Sequence, residues 1–136
     1  VLVIGYGRCG RVLCDRLSGL KCRLTVAARR PEVLAEIAAF GAEAIHTDSL
    51  PEKLGDFDIV INTADAPLLN GADSKAVIID ISTHGCCDKE TAQALNYHRA
   101  PGLPGRIAPR SAGIILADTA ERLINEYMSA KENKYE

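Results

Sequence analysis

The chain begins Val1-Leu2-Val3-Ile4-Gly5-Tyr6-Gly7-Arg8-Cys9-Gly10, an apolar run that drops directly into a G-x-G-x-x-G turn. Few patterns constrain a fold as tightly. An unbroken apolar run reads as a strand buried on both faces, which places it inside a parallel sheet. Each glycine then has its own reason. Gly5 permits the tight turn out of the strand. Gly7 lets backbone approach a pyrophosphate closely, and Gly10 lets the following helix pack on the strand. The free N–H groups and positive end of that helix face the phosphates. Alone the turn is a weak signal. Between a strand and a helical pattern it predicts a dinucleotide site built on Gly5, Gly7, Arg8, Cys9 and Gly10. Arg8 adds charge near the phosphates, or merely begins the helix.

The rest of the chain alternates strand and helix. Val12, Leu13 and Leu17 are spaced for one buried face of a helix over 8–17, which Ser18-Gly19 ends. A second strand is predicted over 20–28, with Leu24, Val26 and small alanines. Pro31 suits the first turn of a helix over 31–40, and Gly41 suits its end. A short strand over 42–46 follows, then a short helix over 51–54 capped by Asp48 or Ser49. Strands are predicted over 57–62 and 76–81, separated by a short segment over 67–71. Asp88 reads as the cap of a helix running to 96. A Pro/Gly loop over 101–105 leads to a last helix over 109–128, and a charged tail, 129–136, is expected to fray. Apolar strands alternating with helices mean an α/β domain with a three-layer αβα architecture. The expected fold is a doubly wound parallel sheet of the Rossmann type over 1–128. Ligands of such sheets bind beyond the carboxyl ends of the strands. That rule singles out residues 5–10, 28–30, 62–65 and 81–85.

Composition excludes several classes. The chain has 136 residues and a net charge of −2, so one domain is expected and no basic field for nucleic acid or an anionic membrane exists. No apolar stretch approaches the roughly 20 residues of a membrane span. The apolar start lacks the basic leader of a signal peptide, so a cytoplasmic location is expected. Five cysteines, an odd number without framework spacing, read as reduced side chains. No C-x-x-C occurs and no metal site is expected. The adjacent pair Cys86-Cys87 is the one to watch for reactivity. Val1 already lies in the first strand, which reads as a fragment lacking an N-terminal domain.

The end of the second strand bears on which dinucleotide binds. An acid there would bond a ribose 2′-hydroxyl and repel a 2′-phosphate. This chain has Ala27-Ala28-Arg29-Arg30 instead. Arginine pairs with phosphate bidentately and stacks on adenine, so Ala28, Arg29 and Arg30 favour NADP over NAD. The competing reading is an arginine pair on a solvated loop. Asn62, Thr63 and Ala64 follow the fourth strand and can bond ribose or phosphate, or simply cap the strand end. Ser82 and His84 follow the fifth strand, near the place of a nicotinamide. His84 is the candidate acid/base group, or a solvated loop histidine.

These segments, together with Ala100-Pro101-Gly102-Leu103-Pro104-Gly105-Arg106-Ile107-Ala108-Pro109-Arg110-Ser111-Ala112-Gly113, resemble the cofactor-binding domain of the dipicolinate synthase A-subunit family of spore-forming bacteria. The resemblance implies NADP-dependent oxidation of dihydrodipicolinate to dipicolinate. It also implies a further N-terminal domain and a partner B subunit of flavoprotein-like sequence. It carries Gly5, Gly7, Gly10, Arg29, Asn62 and Thr63 over as cofactor-side positions. A small dicarboxylate substrate needs cations, and Arg106 and Arg110 are the candidates. Two segments depart from the family pattern: Ala64-Asp65-Ala66-Pro67, where the family tends to Ile-Pro-Ala, and Ser82-Thr83-His84-Gly85-Cys86-Cys87-Asp88, where it tends to Ala-Ser-Lys-Pro-Gly-Gly. Both lie near the expected nicotinamide and substrate. Two other readings compete. One is an NADP-dependent dehydrogenase of shikimate-dehydrogenase-like build. The other is a non-enzymatic nucleotide-sensing domain, against which the missing acid at Ala28 argues. The C-terminal helix can serve as a return helix or as the dimer element of a homo-oligomer.

Overall fold

Short runs of apolar and β-branched residues alternate with helical segments. In the computed structural model they assemble into one parallel sheet. The structure describes residues 1–103, 106 and 120–122. The strands are β1 (Leu2–Ile4), β2 (Thr25–Ala28), β3 (Glu43–His46), β4 (Ile59–Asn62), β5 (Val77–Asp80) and β6 (Asn96–Arg99). Their spatial order is β3-β2-β1-β4-β5-β6, and every pairing is parallel. The chain winds outward from β1 to β3, then crosses back to lay β4 on the other side of β1. The winding therefore reverses between β1 and β4, where crevice ligands of such sheets bind. Register places Ile4 beside Ala27 and Asn62, and Asn62 beside Asp80. The carboxyl ends of β1, β2, β4 and β5 thus form one rim.

Successive side chains of each strand enter opposite layers. Val3, Val26 and Ala28 pack with Cys14 of α1 (Arg8–Ser18) and with Val33 and Ile37 of α2 (Pro31–Phe40). Leu2, Ile4, Ala27, Val60 and Ile78 face the other way. There they meet Leu50 of α3 (Leu50–Lys53), Leu54, Leu69 and Leu95. Burial of each Leu, Ile or Val among these contributes about 1.5–3 kcal/mol, and both layers are needed because β1 and β2 are buried on both faces. Helix ends follow local chemistry. Pro31 opens α2, and Gly41 closes it in the left-handed region at φ 93°. Asp88 caps α4 (Lys89–Ala94) by accepting from the Thr91 N–H at 2.8 Å. Across α1 and α2, Arg11 pairs with Glu36 and stacks over the Tyr6 ring, 4.7 Å from its centroid.

The parallel sheet and helix order agree with expectation, with three corrections. The second strand, expected from residue 20, begins at Thr25, because the chain is still turning at Lys21, where φ is 54°. Val12, expected on the buried face of α1, is exposed. The helix expected to reach residue 96 ends at Ala94, and Asn96–Arg99 forms a sixth strand beside β5. Leu95 is already extended (ψ 157°). The strand hid in the sequence because it is an edge strand of polar residues, mostly exposed, with no apolar run. Contacts divide the chain into two units, Val1–Pro101 and Gly102–Glu136. In the second, the Arg106 N–H donates to the Gly102 carbonyl at 3.1 Å. The helix expected over 109–128 and the tail over 129–136 lie outside the described residues. Among the described residues no helix is long and apolar enough to cross a membrane.

Candidate functional site

The turn after β1 is tied down from two sides. The Gly5 N–H donates to the Ala27 carbonyl at 2.9 Å, and the Thr63 N–H donates to the Ile4 carbonyl at 2.8 Å. The three glycines then separate by cause. Gly5 has φ +95°, and a Cβ there would lie 2.6 Å from the Thr63 hydroxyl. A Cβ at Gly10 would lie 2.2 Å from the Gly5 carbonyl oxygen, so α1 rests directly on the turn. Nothing lies within 4 Å of a Cβ at Gly7, and its φ of −80° is open to any residue. The protein itself supplies no reason for glycine there. A bound group that needs close backbone approach does. Gly7 also caps α1 without a side-chain bond, and no acid stands in the first turn. The orphan N–H groups and the positive helix end are thus left for an anion. The residues present fit a dinucleotide pyrophosphate.

A cleft of about 320 Å³ runs from this turn across the rim. Gly5, Tyr6 and Gly7 form one wall, Ala28, Arg29 and Arg30 another, and Ala64 and Asp65 the third. Arg30 lies 3.4 Å from Glu32. The Arg29 guanidinium has no ion pair or hydrogen bond among the described residues, although its carbonyl accepts from His46 Nε2 at 2.9 Å. The missing acid at the end of β2 and an uncommitted arginine therefore share one wall.

Other sequence candidates sit elsewhere. Arg8 and Cys9 are exposed on the first turn of α1 and do not line the cleft. Gly10 is buried beneath it. Asn62 is fully buried: its amide donates to Asp80 Oδ1 at 2.9 Å and to the Ala64 carbonyl at 2.8 Å. The Thr63 hydroxyl donates to the Ile4 carbonyl at 3.0 Å. Ser82 is buried and accepts from the Gly85 N–H at 3.1 Å. Asn62, Thr63 and Ser82 thus spend their side chains on shaping the rim. His84 is exposed beside the cleft, bonded to Asp65. Arg106 is exposed, and Arg110 lies outside the described residues.

Sequence reasoning missed the residue that organises the β5 end. Asp80 is fully buried, and its carboxylate collects donors from three elements. Oδ1 accepts from Asn62 and from the Ser82 N–H at 2.9 Å, and Oδ2 accepts from the Cys86 N–H at 2.9 Å and from the Tyr97 hydroxyl. Burial works to raise this carboxyl, but the bonds from Ser82, Tyr97 and Asn62 prevail and hold it at about 2. Burial, with Asp80 adding to it, pushes the Tyr97 hydroxyl and the Cys86 thiol well up. Cys87 is also raised, again chiefly by burial. The Cys86-Cys87 pair, singled out for reactivity, therefore carries protonated thiols, the opposite of an activated thiolate. No cluster of metal-ligating side chains exists among the described residues. Asp80 was recoverable in principle: an acid closing an otherwise apolar strand needs partners.

Comparisons place this geometry among known proteins. The TrkA-N domain family model matches residues 1–66. The dipicolinate synthase A chain of Bacillus subtilis (strain 168) is 37% identical over 98% of this chain and 48% of its own length. The crystal structure of the A chain from Bacillus subtilis superposes with a TM-score of 0.80 and 34% identity, covering 94% of this chain and 46% of that one. Its counterpart from Bacillus halodurans gives 0.79 and 33%, covering 90% and 45%. The chain spans about half the length of these relatives. It is a Rossmann nucleotide-binding domain, and over nearly its whole length a homologue of one half of the dipicolinate synthase A chain.

Proposed function

We propose that this chain is the NADP-binding half of a two-domain cytoplasmic oxidoreductase that converts dihydrodipicolinate and NADP to dipicolinate and NADPH. The observation that carries the reading is the wall Ala28-Arg29-Arg30. It meets the glycine turn in one cleft, has no acid, and holds a guanidinium without a partner among the described residues. A bound nicotinamide supplies the hydride acceptor. Everything else falls to side chains and backbone. The N-terminus of α1 binds the pyrophosphate through its uncapped N–H groups, with Gly7 leaving room and Arg8 and Cys9 on the same turn. Arg29 pairs with the 2′-phosphate, and Arg30 assists from its place just before α2. Ala64 borders the ribose, while Asn62, Thr63 and Ser82 hold the rim that positions it. His84 accepts the proton released on oxidation. Arg106 and Arg110 hold substrate carboxylates, and the rest of the substrate site comes from the other half of the protein. A flavoprotein-like B subunit is the expected partner, with self-association through the C-terminal segment.

Turnover by the protein carrying both halves tests this reading. Dihydrodipicolinate should be oxidised with NADP and much more slowly with NAD. Clear NADP binding with no turnover of dihydrodipicolinate would assign the domain to a dehydrogenase of another substrate.

A further inference from the structure

The two segments that depart from the family pattern meet in space. The loop after β4 carries Asp65, and the loop after β5 carries His84. The His84 main-chain N–H donates to Asp65 Oδ1 at 2.8 Å. The His84 ring Nδ1 lies 2.6 Å from Asp65 Oδ2. One carboxylate thus grips both the backbone and the ring of one residue. A carboxylate only accepts, so the proton of that contact belongs to Nδ1. In the neutral ring Nε2 is then an unprotonated acceptor, and it has no partner among the described residues.

The residues on either side of His84 are anchored. Arg99 donates to the Thr83 carbonyl at 2.8 Å and to the Ser82 carbonyl at 3.3 Å. Gly85 follows at φ +103°, with the Arg99 guanidinium 2.5 Å from where a Cβ would sit. Asp80 fastens the loop from beneath through the Ser82 and Cys86 N–H groups. The charged groups around the pair are therefore Asp65 in contact, Arg99 on β6 and buried Asp80. Asp65 itself lines the dinucleotide cleft. The His84 N–H and ring hold its carboxyl below the ordinary range, so it is ionised at neutral pH.

We propose that Asp65 and His84 form a proton-accepting pair at the mouth of the cleft, in which Asp65 is the positioning residue that keeps His84 in its Nδ1–H form. This rests on the reading of His84 as the base of an NADP-dependent oxidation. In that oxidation a substrate C–H bond breaks, and the hydride leaves with its electron pair to the oxidised nicotinamide. A neighbouring N–H or C–H of the substrate releases its proton to His84 Nε2, and a double bond forms between the two substrate atoms. The imidazolium is balanced by the Asp65 carboxylate, and the exposed ring returns its proton to water. A solvent-exposed ion pair contributes little by itself to stability, whereas the tautomer it imposes is a chemical property.

Long-range ¹H–¹⁵N NMR of the histidine rings in this chain reads that tautomer at pH 8. His84 should be mainly Nδ1–H, and Asp65→Asn should return it to the more usual Nε2–H form. A parent ring already in the Nε2–H form would overturn the pair. In the protein carrying both halves, Asp65→Asn and His84→Asn should each lower kcat at least about tenfold, a larger change than either makes in KM for NADP. Asp65→Glu should recover part of the loss. Parent-like kcat in Asp65→Asn would also overturn the proposal. Titration of the same samples with NADP separates the two readings. Binding with a Nε2–H ring sinks the pair alone, and failure of the parent to bind NADP sinks the functional reading on which the pair depends.

Discussion

Gly7 and Gly10 are three residues apart, yet glycine serves a different purpose at each. At Gly10 the protein forbids a side chain, because a Cβ would collide with the Gly5 carbonyl. At Gly7 the protein permits one. Gly7→Ala should therefore leave thermal stability nearly unchanged and weaken dinucleotide affinity at least about tenfold, a loss of about 1.4 kcal/mol. Calorimetric titration beside a melting curve reads both, and unchanged affinity would remove the pyrophosphate from this turn. Asp80 makes a second residue-scale prediction. Its carboxyl titrates at about 2 when folded and near 3.9 in an unfolded chain. A depressed carboxyl stabilises fully above its unfolded value, and the contribution disappears as pH falls through the folded one. It is worth of the order of 2 kcal/mol. The stability gap between the parent and Asp80→Asn should thus be constant above about pH 5 and shrink toward pH 2. A gap independent of pH, measured by urea unfolding, would contradict the network.

The elements were legible in proportion to their apolar content. The α2 helix begins and ends where Pro31 and Gly41 predict. Strands β1, β4 and β5 are short unbroken apolar runs and were placed correctly to within about two residues. Strand β6 was missed because Asn96-Tyr97-His98-Arg99 is an edge strand, and an edge needs neither hydrophobic alternation nor burial. The glycine turn and the Arg29 wall were legible because their chemistry is local. The Asp65–His84 contact and the Asp80 network join residues 19 and 17 positions apart across loops, and no local pattern announces such pairs. Two substitutions test the elements. Gly41→Ala places a Cβ at φ 93°, and should cost about 1–2 kcal/mol. Ile37→Ala opens a cavity under α2 and should cost about 2–5 kcal/mol. Denaturant unfolding distinguishes both from surface changes, which fall within about 0.5 kcal/mol.

At the scale of the whole molecule, reversal of the winding between β1 and β4 brings three strand ends to one cleft. Each end contributes a different part: the open turn at Gly7, the acid-free wall at Arg29, and the Asp65 anchor of the His84 loop. On the proposed reading, this cleft selects a dinucleotide carrying a 2′-phosphate. Side-by-side titration of the chain with NADP and NAD, repeated for Arg29→Ala, measures that selection. NADP should bind more tightly than NAD, and Arg29→Ala should weaken NADP at least about tenfold while leaving NAD within about twofold. Equal affinities for the two, or equal losses on removing Arg29, would contradict it.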